Sequence, residues 1–168
     1  MTKERKISKR RTLKSSEAKQ LVEDFKRFFP QFVIDSQKGH VIEEVVVDDG
    51  ELYFVDDKPL VIGVDDKLLP SLANEELLKI LPSIVVDMGA IPHICNGADI
   101  MRPGIRNLQG DFEKGSVVLV KDEKFNKPIA IVVAETTSTL IHRMAKGIAA
   151  RNVHHVGDQF WEAAKVSR

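Results

Sequence analysis

Val85–Ile105 reads VVDMGAIPHICNGADIMRPGI, and its punctuation decides how the second half of the chain is built. Two Gly-Ala steps, Gly89-Ala90 and Gly97-Ala98, stand eight residues apart, and the stretch closes on Arg102-Pro103-Gly104. Ser83 to Val86 is an apolar run that reads as a strand entering a turn, and Ile100-Met101 reads as a second, short strand. Glycine admits φ > 0 and close backbone approach. Pro92 and Pro103 fix chain direction and remove donors. That is more punctuation than a plain strand connection needs. The pattern predicts a shaped loop beside a sheet, with Arg102 and Arg106 at its exit.

Outward from this loop, Gly115-Ser116-Val117-Val118 and Ile129–Val133 read as a turn and central strands. Gly147-Ile148 and Val153-His154-His155-Val156-Gly157-Asp158 follow. Together with Val86-Asp87-x-Gly89-Ala90, Asn96–Met101 and Pro103-Gly104-Ile105, this ordered set resembles a PUA domain, a small RNA-binding barrel. The resemblance covers roughly the last half of the chain. The first half is similar, more loosely, to the pre-PUA segment of the malignant T-cell-amplified sequence family and its archaeal relatives.

The 168 residues suit one domain or two small ones, and 43% apolar content is enough for real cores. One cysteine, Cys95, excludes an intramolecular disulfide framework and fits a reducing cytoplasm. No apolar run approaches the ~18 residues of a membrane span. The positively charged N-terminus lacks the apolar segment of a signal peptide. The formal charge of zero is an average over unlike regions. Residues 1–14 carry seven Lys/Arg and one Glu, residues 43–76 eleven Asp/Glu and two Lys, and residues 83–168 eleven Lys/Arg and nine Asp/Glu. Local fields of this kind admit an anionic partner despite the zero total.

Lys3 to Lys14 is a basic arm that either contacts phosphate or is solvated; Ile7 and Leu13 offer to tack it on as a strand. Ser15 or Ser16 is the expected cap of a helix whose Ala18, Leu21, Val22, Phe25, Phe28 and Phe29 recur at three- and four-residue spacing. Pro30 ends it, and the Phe stripe reads as core. Val41–Asp48, Glu51–Val55 and Pro59–Val64 read as strands. The pairs Asp48-Asp49, Asp56-Asp57 and Asp65-Asp66 read as turn residues rather than cation ligands. A short helix capped near Asn74 stops at Pro82, the expected domain boundary. Beyond Ile105, Val117–Val120 and Ile129–Ala134 suit central barrel strands. Thr136–Ser138 offer caps for a helix that Gly147 ends, and Val153–Val156 with Phe160-Trp161 read as the last strands.

The catalytic repertoire is thin. His40, His93, His142, His154 and His155 do not stand at zinc-ligand spacing with the lone cysteine. In a strand, His154 and His155 point to opposite faces. Cys95 near His93 lacks an orienting carboxylate and reads as a small buried thiol. No phosphate loop, dinucleotide fingerprint or nucleophile elbow occurs.

These readings predict an α+β N-terminal domain with its basic arm over residues 1–82, followed by a mostly β PUA pseudobarrel over 83–168. The resemblance implies a non-catalytic RNA-binding protein of the translation apparatus, and the residues themselves predict a cytoplasmic protein with no catalytic residue, cofactor, metal or membrane contact. It implies tRNA or rRNA as ligand, and a protein bearing a translation initiation-factor-like domain as a further partner. It places RNA on Gly89, Ala90, His93, Gly97, Ala98, Arg102, Arg106 and His155. The alternatives are an accessory subunit that delivers tRNA to an RNA-modification enzyme, or a protein-interaction adaptor.

Overall fold

The computed structural model describes residues 9–32 and 39–166. Its contacts gather into two compact units, Met1–Leu77 with Gln159–Arg168, and Leu78–Asp158.

The first unit is an antiparallel meander. Strands β1 (Arg11–Thr12), β2 (Ile42–Val47), β3 (Gly50–Val55), β4 (Lys58–Val64) and β5 (Lys67–Pro70) lie side by side in chain order. The sequence reading missed β5, whose four residues are too few to show a period. The hairpins turn on the aspartate pairs. Asp56, Asp57, Asp65 and Asp66 all have φ between 48° and 69°, the paired left-handed geometry of two-residue hairpin loops, which aspartate tolerates. Helix α1 (Ser15–Phe28) is capped by Lys14 rather than by Ser15 or Ser16, the Glu17 carboxylate accepting the Lys14 N–H at 2.9 Å. Phe25, Phe29 and Phe32 are buried, the Phe25 ring lying 5.0 Å from a tilted Phe29 and 4.9 Å from an edge-on Phe32, whereas Phe28 is 74% exposed. Helix α2 (Glu75–Leu78) is capped by Asn74, whose Oδ1 accepts the Leu77 N–H.

Most of the basic arm, Lys3 to Ser8, lies outside the described residues. Its end is bound within the unit. Arg10 reaches Glu43 and Asp57, both at 3.2 Å, and lies 3.9 Å over the Phe54 ring. Arg11 meets Glu17 and Glu44, and the Leu13 N–H donates to Ile42 O. These two arginines answer the acidic sheet of their own unit.

The chain returns to this unit at its end. Phe160-Trp161, expected in a strand, lies in helix α5 (Gln159–Val166), which packs on β2 and β3. The bulky pair mimics a strand, but Glu162-Ala163-Ala164-Lys165 are strong helix formers. Phe160 and Ala163, one turn apart, are both buried. The Gln159 side chain fixes the start of the helix, accepting the Asp49 N–H and donating to the Asp49 carboxylate. Trp161 is half-buried, with the Lys165 ammonium 5.1 Å from its ring.

The second unit is one mixed sheet. Its strands are β6 (Ser83–Val86), β7 (Ile100–Met101), β8 (Ile105–Gln109), β9 (Val117–Asp122), β10 (Pro128–Ala134) and β11 (Ile148–His155), in the order β7-β11-β10-β9-β6-β8. Only β6 and β9 run parallel. Every second residue feeds one core: Ile84 and Val86, Val118 and Val120, Ala130, Val132 and Ala134. Helix α4 (Ser138–Arg143) closes that core with Ile141, and Thr137 Oγ1 caps it by accepting the Leu140 N–H. The helix ends at Arg143 with Met144 as its C-cap, short of the expected stop. Gly147 (φ +106°) instead turns the chain into β11. Among the described residues no helix is long and apolar enough to cross a membrane, and no group of His, Cys, Asp or Glu is placed to hold a metal.

Candidate nucleic-acid interface

The loop between β6 and β7 is a small folded object. Asp87 leaves β6 and its Oδ1 accepts the Ala90 N–H at 2.8 Å, capping a single 3-10 turn over Met88–Ala90. Such a cap contributes about 1 kcal/mol. Helix α3 (Ile91–Ile94) follows, with Pro92 in its first turn, where a missing N–H costs nothing. Its end is a Schellman closure. The Ala98 N–H donates to His93 O and the Gly97 N–H to Ile94 O, both at 3.0 Å, with Gly97 at φ +95°. Gly97 is therefore required by backbone geometry. Gly89 is not, because its φ is ordinary and a side chain there would meet only Asp87 Oδ1, at 3.4 Å.

Two further contacts join the expected site residues. Gly104 lies against Ala90, its absent Cβ falling 3.3 Å from the alanine methyl, while Gly104 O accepts the Asp87 N–H. His155 Nε2 sits 3.7 Å from the place a side chain on Gly97 would occupy. His155 Nδ1 is 3.0 Å from Val156 O, and a carbonyl only accepts, so Nδ1 carries the proton. In neutral imidazole this makes Nε2 an acceptor facing the loop. His154, the neighbour expected on the other face, is buried against Asp158 at 2.8 Å. His93, Gly97 and Ala98 are exposed. Cys95 is half-buried, and burial raises its thiol pKa, which disfavours the thiolate.

The two arginines differ. Arg102 Nε donates to Ile141 O at 2.7 Å and Nη1 to Ile105 O at 3.3 Å, while the Arg102 N–H donates to Gly147 O at 2.8 Å. Its guanidinium thus binds the Ile141 carbonyl in the last turn of α4, where a cation is favoured by the helix dipole, and ties it to Ile105 at the start of β8. The segment it grips carries the exposed Arg143 and Lys146. Arg106 is 59% exposed, 3.5 Å from Asp87 and 3.6 Å from Glu123. Those separations are longer than a hydrogen bond, so water and ligand compete for its donors.

Sequence reasoning missed Asn152. Its Nδ2 donates to both Ile94 O and Ala98 O at 3.0 Å, and its N–H donates to Asp99 Oδ1. An irregularity in the β10–β11 ladder, where Ile131 faces His154 but Val132 faces Asn152, sets this side chain under the loop. An Asn inside a strand was the available signal. Arg143 and Lys146 were also missed, because they are distant in sequence and join the loop only through Arg102. Beside them runs the short edge strand β7, where Met101 and Ile148 are directly paired and 46% and 47% exposed. Beside the hydrogen-bonded glycine loop the chain offers exposed cations, an imidazole nitrogen and exposed apolar side chains. Those are the elements by which single-stranded nucleic acid is held.

Comparisons with known proteins bear on the family and the fold. The PUA domain family model matches residues 82–156. An uncharacterised protein of Methanocaldococcus jannaschii is 38% identical over 159 residues, covering 92% of this chain and 96% of that one. Translation machinery-associated protein 20 of Saccharomyces cerevisiae is 33% identical over 168 residues, covering 93% and 88%. Human malignant T-cell-amplified sequence 2 is 32% identical over 85 residues, 49% of this chain and 47% of that one. Among solved structures, a PUA domain protein of Aeropyrum pernix K1 in a tartrate complex superposes with a TM-score of 0.79 at 26% identity, covering 96% of this chain and 92% of that one.

Proposed function

Since the chain belongs to the family of PUA-domain proteins that includes translation machinery-associated protein 20, we propose that it is a non-catalytic RNA-binding protein of the translation apparatus, acting in the cytoplasm on tRNA or ribosomal RNA. The observation that carries this reading is the face around the Asp87–Ala98 loop. There Gly89, Gly97 and Ala98 present backbone without bulk, and His93, Arg106, Arg143 and Lys146 are exposed around them. Ala90 and Gly104 shape the loop's base, and Arg102 positions the cationic segment while offering its remaining N–H groups. Met101 and Ile148 supply an apolar surface for an unpaired base, and His155 Nε2 supplies an acceptor for a base edge or a 2′-hydroxyl.

The proposed assembly includes a protein bearing a translation initiation-factor-like domain, assigned on family likeness alone. The test is crosslinking of the native protein in cells, with bound RNA mapped at nucleotide resolution and co-sedimentation through a gradient. Crosslinks concentrated in tRNA or ribosomal RNA, with migration beside ribosomal subunits, support the reading. Recovery with an RNA-modification enzyme moves the protein to delivery of tRNA. Recovery only with RNA-free protein partners makes it an adaptor and ends the RNA assignment.

A further inference from the structure

The turn between β9 and β10 reads Lys121-Asp122-Glu123-Lys124-Phe125-Asn126-Lys127 and holds an aromatic ring out in solvent. Phe125 is 65% exposed. The turn that presents it is rigid. The Asp122 carboxylate, on a buried residue, accepts N–H groups from Lys124 at 2.9 Å, from Lys127 at 3.0 Å and from Phe125 between them. The Asn126 N–H closes the turn on Asp122 O at 3.1 Å, and Asn126 takes φ +57°. A flexible loop can fold an exposed phenyl ring back onto the protein. Here the backbone that carries the exposed ring is held by the Asp122 bonds, which lowers the ordering cost of binding.

The turn is also net cationic, with Lys121, Lys124 and Lys127 against Asp122 and Glu123. Asp122 is saturated by backbone donors. Glu123 faces Arg106 at 3.6 Å and accepts the Met88 N–H at 3.4 Å. Lys124 and Lys127 are exposed, and the Lys124 ammonium stands 5.3 Å from the Phe125 ring. The Glu123 N–H donates to Val86 O at 3.0 Å, which sets the turn directly beside the start of the Asp87–Ala98 loop. The exposed ring and its cations thus continue the face described above.

We propose that Phe125, flanked by Lys124 and Lys127, is a second RNA contact, on which an unpaired nucleotide stacks while the lysines meet the adjoining phosphates. Stacking on an aromatic face is tolerant of base identity, so this contact adds affinity and reach without adding sequence preference. The assignment rests on the RNA-binding reading of the neighbouring loop and extends its footprint.

The experiment uses the full chain and fluorescence anisotropy with a single-stranded RNA of about ten nucleotides. Phe125→Ala is expected to weaken binding roughly fivefold or more, the loss of one stacked base. Phe125→Leu keeps apolar bulk but loses the ring, and is expected to fall with the alanine variant. Phe125→Trp is expected to bind at least as well as the parent. Its new indole should be quenched on binding, read against the signal of the single native Trp161. An unchanged thermal midpoint for each variant shows that the turn is intact. If Phe125→Ala binds RNA as tightly as the parent while Arg106→Glu does not, the second contact is overturned and the loop site stands. If the same variant loses only a co-purifying protein, the turn is a protein contact. Absence of any RNA binding by the parent removes the loop assignment and this one together.

Discussion

Arg102 Nε donates to the carbonyl oxygen of Ile141 at 2.7 Å, across 39 positions of sequence. The bond joins the exit of the glycine loop to the last turn of α4, and with it the exposed Arg143 and Lys146 to the loop face. A residue that reads as an RNA contact is thus first a fastener. Arg106, two positions beyond Gly104, has no comparable anchor.

The two arginines should therefore separate in a stability assay. Arg102→Ala leaves the Ile141 and Ile105 carbonyls without their charged donor and should cost about 1.5–3 kcal/mol. Arg106→Ala should stay within about 0.5 kcal/mol, as exposed ion pairs do. Urea denaturation with matched slopes is the measurement. Equal, small losses would mean that Arg102 is free for ligand as the sequence suggested.

Gly97 and Gly89 provide a second contrast. Gly97→Ala forces a Cβ into the left-handed region and should destabilise by about 1–2 kcal/mol. Gly89→Ala meets ordinary backbone and one van der Waals contact, with Asp87 Oδ1 at 3.4 Å, so stability should hold within about 0.5 kcal/mol. A loss of RNA affinity in Gly89→Ala at unchanged stability would mark close approach of the ligand there. Retained affinity would leave Gly89 a bystander of the turn.

What the sequence made legible was the part governed by local rules. The Gly-Ala loop, the strands on either side, the Asn74 and Thr137 caps and the aspartate turns all follow from backbone preference within a few residues. What it hid depends on partners far along the chain. Asn152 acts through a ladder irregularity on another strand. Arg102 meets Ile141 only after the sheet has formed. The fate of Phe160-Trp161 was decided by β2 and β3, more than a hundred residues earlier, and by helix propensity on its C-terminal side.

Acid should loosen the β9–β10 turn. Burial raises the Asp122 pKa, but hydrogen bonds from the Phe125, Lys127, Lys124 and Asn126 N–H groups lower it further, and the net position is below the ordinary aspartate value. A carboxylate depressed in the folded state stabilises above its unfolded pKa, and that contribution is lost as pH falls through the folded pKa. Asp122→Asn removes the titration. The denaturation midpoint of the parent should exceed that of the variant at pH 7, and the gap should close as pH falls below about 4. A gap independent of pH would show that shape, not charge, holds the turn.

The C-terminal helix should stabilise the first unit and leave the second unchanged. Phe160→Ala empties a buried position against β2 and β3, at a cost of about 3–5 kcal/mol. A fragment of residues 78–158 should give a dispersed amide spectrum, and extending it to residue 168 should add only peaks in the random-coil range. A collapsed spectrum for 78–158 that disperses on extension would return the last ten residues to the second domain.

Salt dependence tests whether the exposed cations act as phosphate contacts or as diffuse charge. Arg106 lies beside Asp87, Arg143 and Lys146 lie on the segment bonded to Arg102, and each is exposed. If each holds a phosphate of a single strand, each reversal to Glu should flatten the plot of log affinity against log salt by roughly 0.7. The three losses should accumulate, because separate phosphate contacts release separate counterions. Lys67 and Lys79 are exposed cations away from this face in sequence, and their reversal sets the level of diffuse attraction. Slopes that fall equally for both sets would show only long-range attraction to a polyanion. Slopes that fall for the loop set alone place the RNA backbone along the Gly89–Ala98 face and leave its bases free to reach Met101, Ile148 and Phe125.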